Sequence, residues 1–333
     1  MPSQTNEQAL ESAIEHALTG ISQEEMKQRG MTVEEVALPY GGNGFRIGWP
    51  NDFNAEYAID ETRFWHFLET TQPEELEKLQ RSPDWKLKIL QRFDRMVKKY
   101  GLLRLLRRGL DVEDAHFTLF YELPLASSGQ AVRERFEQNE FSVMRQVRYN
   151  LENPRQEIDM VIFLNGLPLA TLELKNPWTG QRARIQGIKQ YKEDRDNRQP
   201  LLQFGRCIVH FAVDTDEAYM TTKLDGKKTF FLPFNKGHNN GAGNPPNPGG
   251  HKTAYLWREI FTRQSLANIL QHFVRFDGKA KDPLSKRTLF FPRYHQMDVV
   301  RQILAHAARH GVGQRYLIQH SAGSGKSNSI TWA

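Results

Sequence analysis

The chain has 333 residues with a formal net charge of +6, a weak basic bias that is compatible with DNA binding without requiring it. Its length suggests two domains, and its single cysteine, Cys207, excludes an internal disulfide. No apolar run approaches the roughly 20 residues that span a bilayer, and no signal peptide is recognisable, so we expect a soluble cytoplasmic protein without a membrane partner.

The N-terminal third is predicted to be mainly helical. Asn6 to Leu18 has the spacing of an amphipathic helix, and Glu61 to Gln80 and Asp84 to Arg108 also have helical patterns. Nine basic residues lie between Lys86 and Arg108. They form either a solvated helix face or a surface that follows DNA phosphates.

Strands are predicted from Phe117 to Pro124 and from Phe141 to Tyr149, ahead of a hairpin. Glu157 to Lys175 is predicted to form that hairpin, with a tight turn at Asn165-Gly166. We expect a three-residue loop, 165–167, that pairs Leu164 with Pro168. In that register the acid of the first strand lies opposite the acid of the second, on the same face.

Inside the hairpin, after its first residue Glu157, two acids and a lysine interrupt an otherwise apolar stretch: Asp159 in the first strand, and Glu173 and Lys175 in the second. Directly opposed residues have Cβ atoms about 4.5–5.5 Å apart, so both carboxylates could bind one Mg²⁺ ion. The Leu174 carbonyl would be a further ligand. Lys175 would orient a metal-activated water or stabilise charge on the phosphate. The pattern predicts a metal-dependent phosphodiesterase site, and the alternative is an edge strand with solvated charges.

Alternating strands and helices continue after the hairpin. Arg184 to Glu193 is predicted to be a helix, and Arg206 to Val213 a strand that buries Cys207. The later elements are a hairpin from Glu217 to Phe234, a loop from Asn235 to Lys252 and a helix from Ser265 to Val274. Together these elements predict an α/β fold with a mixed β-sheet flanked by helices.

The hairpin pattern, Asp159 followed by Glu173-Leu-Lys175, resembles the PD-(D/E)xK nuclease family. Gln186 and Tyr191 on the next helix resemble the glutamine–tyrosine helix of its RecB-like subgroup, where the pair supports the site or contacts DNA. Gln190 is an alternative to Gln186, and an ordinary amphipathic helix is the alternative for the segment.

The same resemblance implies that an early helix places one acid near the metal. Glu11 or Glu15 could serve, and a solvated acidic face is the alternative.

The C-terminal end resembles the start of a superfamily 2 helicase domain. A short strand from Tyr316 and a glycine-rich loop precede a helix start, which matches a phosphate-binding loop. Arg293 and Gln296 resemble the adenine-reading glutamine motif. The predicted nucleotide-binding residues are Arg293, Gln296, Gly323, Ser324, Gly325, Lys326 and Ser327.

A nuclease hairpin followed by a helicase core is the order found in the motor (R) subunit of type I restriction enzymes. Stretches 63–69, 236–246 and 290–296 also resemble that family. The resemblance implies an endonuclease domain over residues 1–276 and the beginning of a RecA-like ATPase lobe over 277–333. It further implies Mg²⁺ and ATP as cofactors, double-stranded DNA as substrate, and methyltransferase and specificity subunits as partners. Cutting would follow ATP-driven translocation by the full-length protein.

Two alternatives stay open. One is the nuclease part of another helicase–nuclease repair enzyme, with the same site in a different system. The other is a catalytically silent DNA-binding and docking module. The coupling motifs and second lobe of a motor are not found by Ala333, so we expect a fragment that does not hydrolyse ATP alone.

Overall fold

The computed structural model describes residues 7–31, 41–279, 281–311, 313–321 and 323–333. The strands of this part of the chain are β1 (Arg46–Gly48), β2 (Phe53–Asn54), β3 (Ile59–Asp60), β4 (Leu110–Val112), β5 (Ala115–Phe117), β6 (Phe141–Arg148), β7 (Glu157–Leu164), β8 (Leu167–Leu174), β9 (Val209–Val213), β10 (Ala218–Thr221), β11 (Leu232–Pro233), β12 (Arg275–Asp277) and β13 (Thr288–Phe290). Seven of them form one mixed sheet in the order β1-β6-β7-β8-β9-β10-β11, which confirms the predicted mixed α/β architecture. The β1/β6 and β8/β9 pairs are parallel, and the other neighbours are antiparallel.

The α-helices of the same residues are α1 (Glu7–Thr19), α2 (Gln23–Arg29), α3 (Glu61–Thr71), α4 (Pro73–Leu79), α5 (Trp85–Tyr100), α6 (Leu102–Arg108), α7 (Gln130–Glu137), α8 (Arg263–Asn268), α9 (Tyr294–His310) and α10 (Lys326–Trp332). A further helix, called here the 183–194 helix, contains two π-helical stretches, Ala183–Gly187 and Gln190–Asp194. No helix of the described residues combines the length and apolar character that crossing a membrane requires.

Both faces of the sheet are covered, which places the hairpin strands in the interior. One face packs against α1 and α3 through Leu10, Ile14 and Phe64. The other face packs against the 183–194 helix through Ala183 and Tyr191. Burial on both sides explains why β7 and β8 are apolar at nearly every position, including positions of opposite orientation.

The hairpin turn contains two residues rather than three. Leu164 pairs with Leu167, so the predicted pairing of Leu164 with Pro168 is wrong. Asn165 and Gly166 both have positive φ, +51° and +76°, as the tightest hairpin turns require.

The predicted alignment of the two acids nevertheless holds. A register shift lies between Ile162 and Phe163, and beyond it Met160 pairs with Leu172. Continuing this register brings Asp159 beside Glu173. The register shift leaves one residue of β8 without a partner on β7. This extra residue compensates for a turn that is one residue shorter than predicted.

Most of the predicted helices form, with breaks at specific residues. The helix predicted from Asn6 is α1, and Asn6 itself lies outside the described residues. The segment 61–80 is divided before Pro73, which begins α4. The segment 84–108 is divided at Gly101, whose φ is +80°. The strand predicted from Arg206 is shorter and begins at Val209.

The strand predicted from Phe117 to Pro124 is wrong. Only its first residue lies in β5, and α7 forms after it where no helix was predicted. Side-chain amides satisfy the backbone of 118–123 in place of a neighbouring strand. Gln72 binds both the N–H and the carbonyl of Thr118. Asn139 binds both the N–H and the carbonyl of Tyr121. The Gln271 side chain accepts from the N–H of Leu123.

The short strand predicted from Tyr316 does not form either. Residues 313–320 have no regular structure, and Leu317 is 96% exposed. An apolar strand of this kind needs a neighbour on the sheet, and none of the described strands lies beside it. The predicted helix start is present as α10. The division into domains at 276/277 stays a prediction.

Candidate active site

Asp159 and Lys175 lie together at the end of the β7–β8 hairpin, as predicted. An oxygen of Asp159, Oδ2, accepts a hydrogen bond from the Leu174 N–H at 2.7 Å and lies 4.0 Å from the Lys175 ammonium. Lys175 also donates to the Leu174 carbonyl at 2.8 Å. Its side chain is 7% exposed, so this ammonium is fixed in a nearly dry environment.

Glu173 is fully buried and forms an ion pair that was not predicted. Arg195 donates through Nε to Oε1 at 2.6 Å and through Nη2 to Oε2 at 3.0 Å. A bidentate arginine–carboxylate pair of this kind is strong and directional. Arg195 follows the last residue of the 183–194 helix, and no sequence motif marks it as a site residue.

The hairpin carboxyls have raised pKa values, and burial is the largest cause for each. Burial raises the pKa of Glu173 to about 8; the neighbouring Asp159 charge adds to the rise, and Arg195 opposes it. The pKa of Asp159 is also raised by burial, against the attraction of Lys175. Clustered buried acids with raised pKa values are typical of functional sites.

Helix α1 brings further acids to this end of the hairpin. Glu7, which was not predicted as a ligand, lies 3.3 Å from the Lys175 ammonium. Glu11 hydrogen-bonds to Arg145 and Gln146, and burial raises its pKa to about 7. An open cavity of about 470 Å³ lies here, lined by Glu7, Gln8, Glu11, Arg145, Gln146, Thr179 and Gln181.

Of the two candidate acids of α1, only Glu11 lines this cavity. Glu15 is fully buried and binds Arg145 and the amide groups of Gln23. Its oxygens therefore stabilise the packing of α1 and α2 against β6. The α1 acid nearest to Lys175 is Glu7. It precedes Glu11 by about one helical turn and Glu15 by about two.

Tyr191 and Gln186 have different positions relative to the site. The Tyr191 hydroxyl lies 2.8 Å from Thr171 Oγ1, which lies 2.7 Å from His210 Nδ1. The pKa of Tyr191 is raised by burial and then by the Glu173 charge, so the phenol lies near that carboxylate. Gln186 instead accepts from the Arg182 N–H at the start of its helix. Within the described residues it has no hydrogen bond to the hairpin acids or lysine.

The oxygen donors of the hairpin fit a divalent cation by their chemistry. Their positions, however, are not those of ligands around one metal ion. One buried and one partly buried carboxylate on neighbouring strands, with a third acid at the adjoining cavity, are the oxygen ligands that Mg²⁺ prefers. Yet Arg195 engages both Glu173 oxygens, and Lys175 engages the Leu174 carbonyl. No cluster of three acid, histidine or cysteine side chains with metal-binding geometry is found among the described residues.

The predicted nucleotide-binding residues also come together. Gln296 donates to the carbonyls of Ser324 and Gly325 at 3.0 and 3.1 Å. Arg293 is the residue before α9, and its N–H donates to the Gln296 carboxamide oxygen. Gly323 and Gly325 have φ of +71° and +79°. The remaining two predicted residues, Lys326 and Ser327, begin α10.

A protein-family model matches residues 47–229, more than half of the chain, and its description is "Type I restriction enzyme R protein N terminus (HSDR_N)". The matched span contains the whole hairpin, Gln186, Tyr191 and Arg195, and it ends before Arg293. A search of curated proteins gave no match.

Proposed function

The chain belongs to the family of type I restriction enzyme R protein N-terminal domains, and we propose that its hairpin is the active site of a Mg²⁺-dependent endonuclease acting on double-stranded DNA. The proposal places the chain in the RecB-like subgroup of PD-(D/E)xK nucleases. The full-length protein would cut after ATP-driven translocation, in a complex with methyltransferase and specificity subunits.

The observation that supports this proposal most is the convergence of Asp159, Glu173 and Lys175 in the buried end of one hairpin. The lysine ammonium lies 4.0 Å from one acid, and the other acid is fully buried on the adjacent strand. Ionisable groups are costly to bury, so three of them in an otherwise apolar hairpin indicate a functional requirement.

Mg²⁺ would be held by Asp159, Glu173 and the Leu174 carbonyl. When bound, it would supply activation of a water and neutralisation of charge on the phosphate. The chain supplies the rest. The Leu174 N–H fixes one Asp159 oxygen, which leaves the other carboxylate oxygen to face a ligand. Lys175 would provide a nearly desolvated positive charge to orient the attacking water or stabilise the phosphate charge.

Tyr191 would support the site from the helix that covers the same face of the sheet. Its hydroxyl hydrogen-bonds with Thr171, two residues before Glu173 on the same face, and Thr171 in turn contacts the buried His210. A rigid hydrogen-bonded group at this position would fix β8 relative to the helix that follows the hairpin. Gln186 stays a candidate for contacting DNA from the exposed start of that helix.

The C-terminal residues support a nucleotide site in the full-length protein. Gln296 fixes the glycine-rich loop, and two buried polar atoms beside it, Arg293 Nε and Ser324 Oγ, have no hydrogen-bond partner among the described residues. Buried polar atoms of this kind are normally satisfied by a ligand or water. ATP would bind there, with Lys326 at its outer phosphates and Ser327 at Mg²⁺.

The two sites can be tested by a reciprocal experiment in the full restriction complex. Asp159→Ala and Lys175→Ala should abolish DNA cutting while ATP hydrolysis continues. Lys326→Ala should abolish ATP hydrolysis, and with it the cutting that depends on translocation. Lys189→Ala is the matched control, because this exposed lysine pairs with Glu193 on its own helix and with no other acid among the described residues. Unchanged cutting by both hairpin variants would remove the nuclease proposal.

One observation favours the second candidate, a catalytically silent DNA-binding and docking module. The bidentate bond to Arg195 already neutralises Glu173, so the hairpin is charge-balanced without a metal. Calorimetry decides between the two readings. Mn²⁺ binding that is lost in Asp159→Ala supports the nuclease, and no Mn²⁺ binding supports the silent module. A repair nuclease, the remaining alternative, would not require a methylation-dependent recognition site.

A further inference from the structure

Arg195 occupies the place at which a metal ion would approach Glu173. Its guanidinium binds both carboxylate oxygens, at 2.6 and 3.0 Å, and therefore covers the whole chelating edge of that carboxylate. The Arg195 side chain is 8% exposed, and the ring of Tyr149 lies 5.9 Å from its Cζ atom. A divalent cation placed at the same edge would meet a like charge within a buried site.

We propose that Arg195 is a positioning residue that holds Glu173 in the metal-free site and is exchanged for the divalent cation when the metal binds. The inference rests on the proposed function, because it takes Glu173 as a metal ligand. It adds a residue that neither the hairpin motif nor the Gln–Tyr helix contains. It also explains why the donor chemistry fits a metal while the arrangement of the donors does not.

The need for such a residue follows from burial. Glu173 is fully buried beside a second carboxylate, and an ionised acid without a partner is costly in that environment. A cation supplied by the chain favours the ionised form of the acid and holds it in place until the metal arrives. Arginine is suited to this because its planar fork matches both oxygens at once.

The position of Arg195 also permits the exchange. Arg195 is in extended conformation directly after the 183–194 helix, and its N–H ends that helix by donating to the Gln190 carbonyl. The side chain can therefore rotate away from Glu173 without breaking a β-sheet hydrogen bond. The small exposed fraction of the side chain shows that solvent reaches one part of it.

The first test is calorimetric titration of the 333-residue chain with Mn²⁺. Arg195→Gln should bind Mn²⁺ roughly tenfold or more tightly than the wild type, because the metal no longer displaces a charged hydrogen-bonded pair. Arg195→Lys should lie between them, since an ammonium cannot engage both oxygens in the same way. The matched control is Arg198→Gln, which removes an exposed arginine three residues away that pairs with Asp196. It should leave the affinity unchanged.

The second measurement uses the unaltered chain. Mn²⁺ should increase the rate at which an arginine-specific dicarbonyl reagent modifies Arg195, followed by mass spectrometry, because the guanidinium is released from Glu173. Arg198 is the internal reference, and its rate should not change. A purely structural ion pair would leave the Arg195 rate unchanged or lower it.

The outcomes separate this inference from the proposed function. If the wild type binds Mn²⁺ and Arg195→Gln binds it equally or more weakly, the exchange is overturned and the nuclease site stands. If the wild type and both Arg195 variants fail to bind Mn²⁺, both proposals are overturned. Circular dichroism and thermal unfolding of each variant identify any loss of folding, and Arg195→Lys provides the measurement if Arg195→Gln does not fold.

Discussion

Asp159 and Glu173 are carboxylates on neighbouring strands, yet their partners differ. Asp159 accepts from a backbone N–H and faces an ammonium at 4.0 Å, whereas Glu173 is bound on both oxygens by a guanidinium. Lys175 is shared between the Leu174 carbonyl and an acid of α1. The environment of each residue, rather than its type, therefore determines which oxygen is available to a ligand.

The raised pKa of Glu173 predicts a pH dependence of metal binding. Below its pKa of about 8 the carboxyl is increasingly protonated, and a metal must then displace a proton. Mn²⁺ affinity should therefore increase as the pH is raised from about 6 to about 8, by at most about tenfold per pH unit for one proton. Calorimetry at several pH values measures this. Glu173→Gln should flatten the upper part of the profile, and a flat wild-type profile would contradict the prediction.

At the scale of the element, the hairpin turn and the extra residue within β8 together set the register on which the site depends. The side chain of Asn165 stabilises the turn through contacts to distant segments. It accepts from the Glu140 N–H and donates to the carbonyl of Leu119. Gly166 packs directly against α3, where a Cβ atom would lie 2.6 Å from the Phe64 nitrogen and would clash with the Asp60 carbonyl oxygen.

Gly166→Ala should therefore destabilise the protein strongly. The substitution adds left-handed backbone strain and a clash with backbone atoms that cannot move separately, and we expect a loss of about 2–4 kcal/mol. Urea denaturation followed by circular dichroism measures it. Gly180→Ala is the control, since its φ is +77° with open space around the added Cβ, and strain alone should cost about 1–2 kcal/mol. Equal losses in the two variants would show that packing against α3 contributes nothing.

Local patterns predicted the hairpin and most of the long helices, whose hydrogen bonds are made to a neighbouring strand or within one helix, although they missed α7. They failed for 118–124, where the backbone is satisfied by side chains of Gln72, Asn139 and Gln271. These partners come from three distant parts of the chain. No periodicity within the segment could indicate them.

At the scale of the whole molecule, one hydrophobic cluster extends from α1 through the sheet to α9. It includes Phe291 and Met297, which follow the predicted domain boundary. On its surface, the segment with nine basic residues forms part of an open cavity of about 580 Å³. The residues that line it are Tyr100, Leu103, Arg104, Arg107, Arg108, Phe276 and Arg287.

The cavity has four arginines and no acid in its lining, which supports the use of this surface by DNA phosphates. The pKa of Tyr100 is lowered, first by a hydrogen bond from Lys99 and further by the charges of Arg104 and Arg92, which indicates a positive local potential. Arg104 also lies over the Tyr100 ring, 4.4 Å from its centroid.

Arg104→Glu combined with Arg108→Glu should weaken binding of duplex DNA and reduce its salt dependence. Two lost phosphate contacts should lower the slope of log affinity against log salt by about two. Fluorescence anisotropy at several salt concentrations measures both quantities. The control is Arg135→Glu with Arg155→Glu, an equal change of charge at two exposed arginines elsewhere. The same loss in both double variants would mean that net charge alone determines binding.

The sequence by itself determined that Asp159, Glu173 and Lys175 lie near the same end of one hairpin, because the tight Asn-Gly turn is a local property, whereas the extra residue in β8 that sets the two acids opposite each other was not predicted. It also determined the helix that presents Tyr191. The tertiary structure decided which charges meet them. Arg195 reaches Glu173, Glu7 reaches Lys175, and Arg145 takes Glu15 away from the cavity. These contacts join residues 22 to 168 positions apart. Residues this far apart in the sequence come into contact only when the helices pack on the sheet.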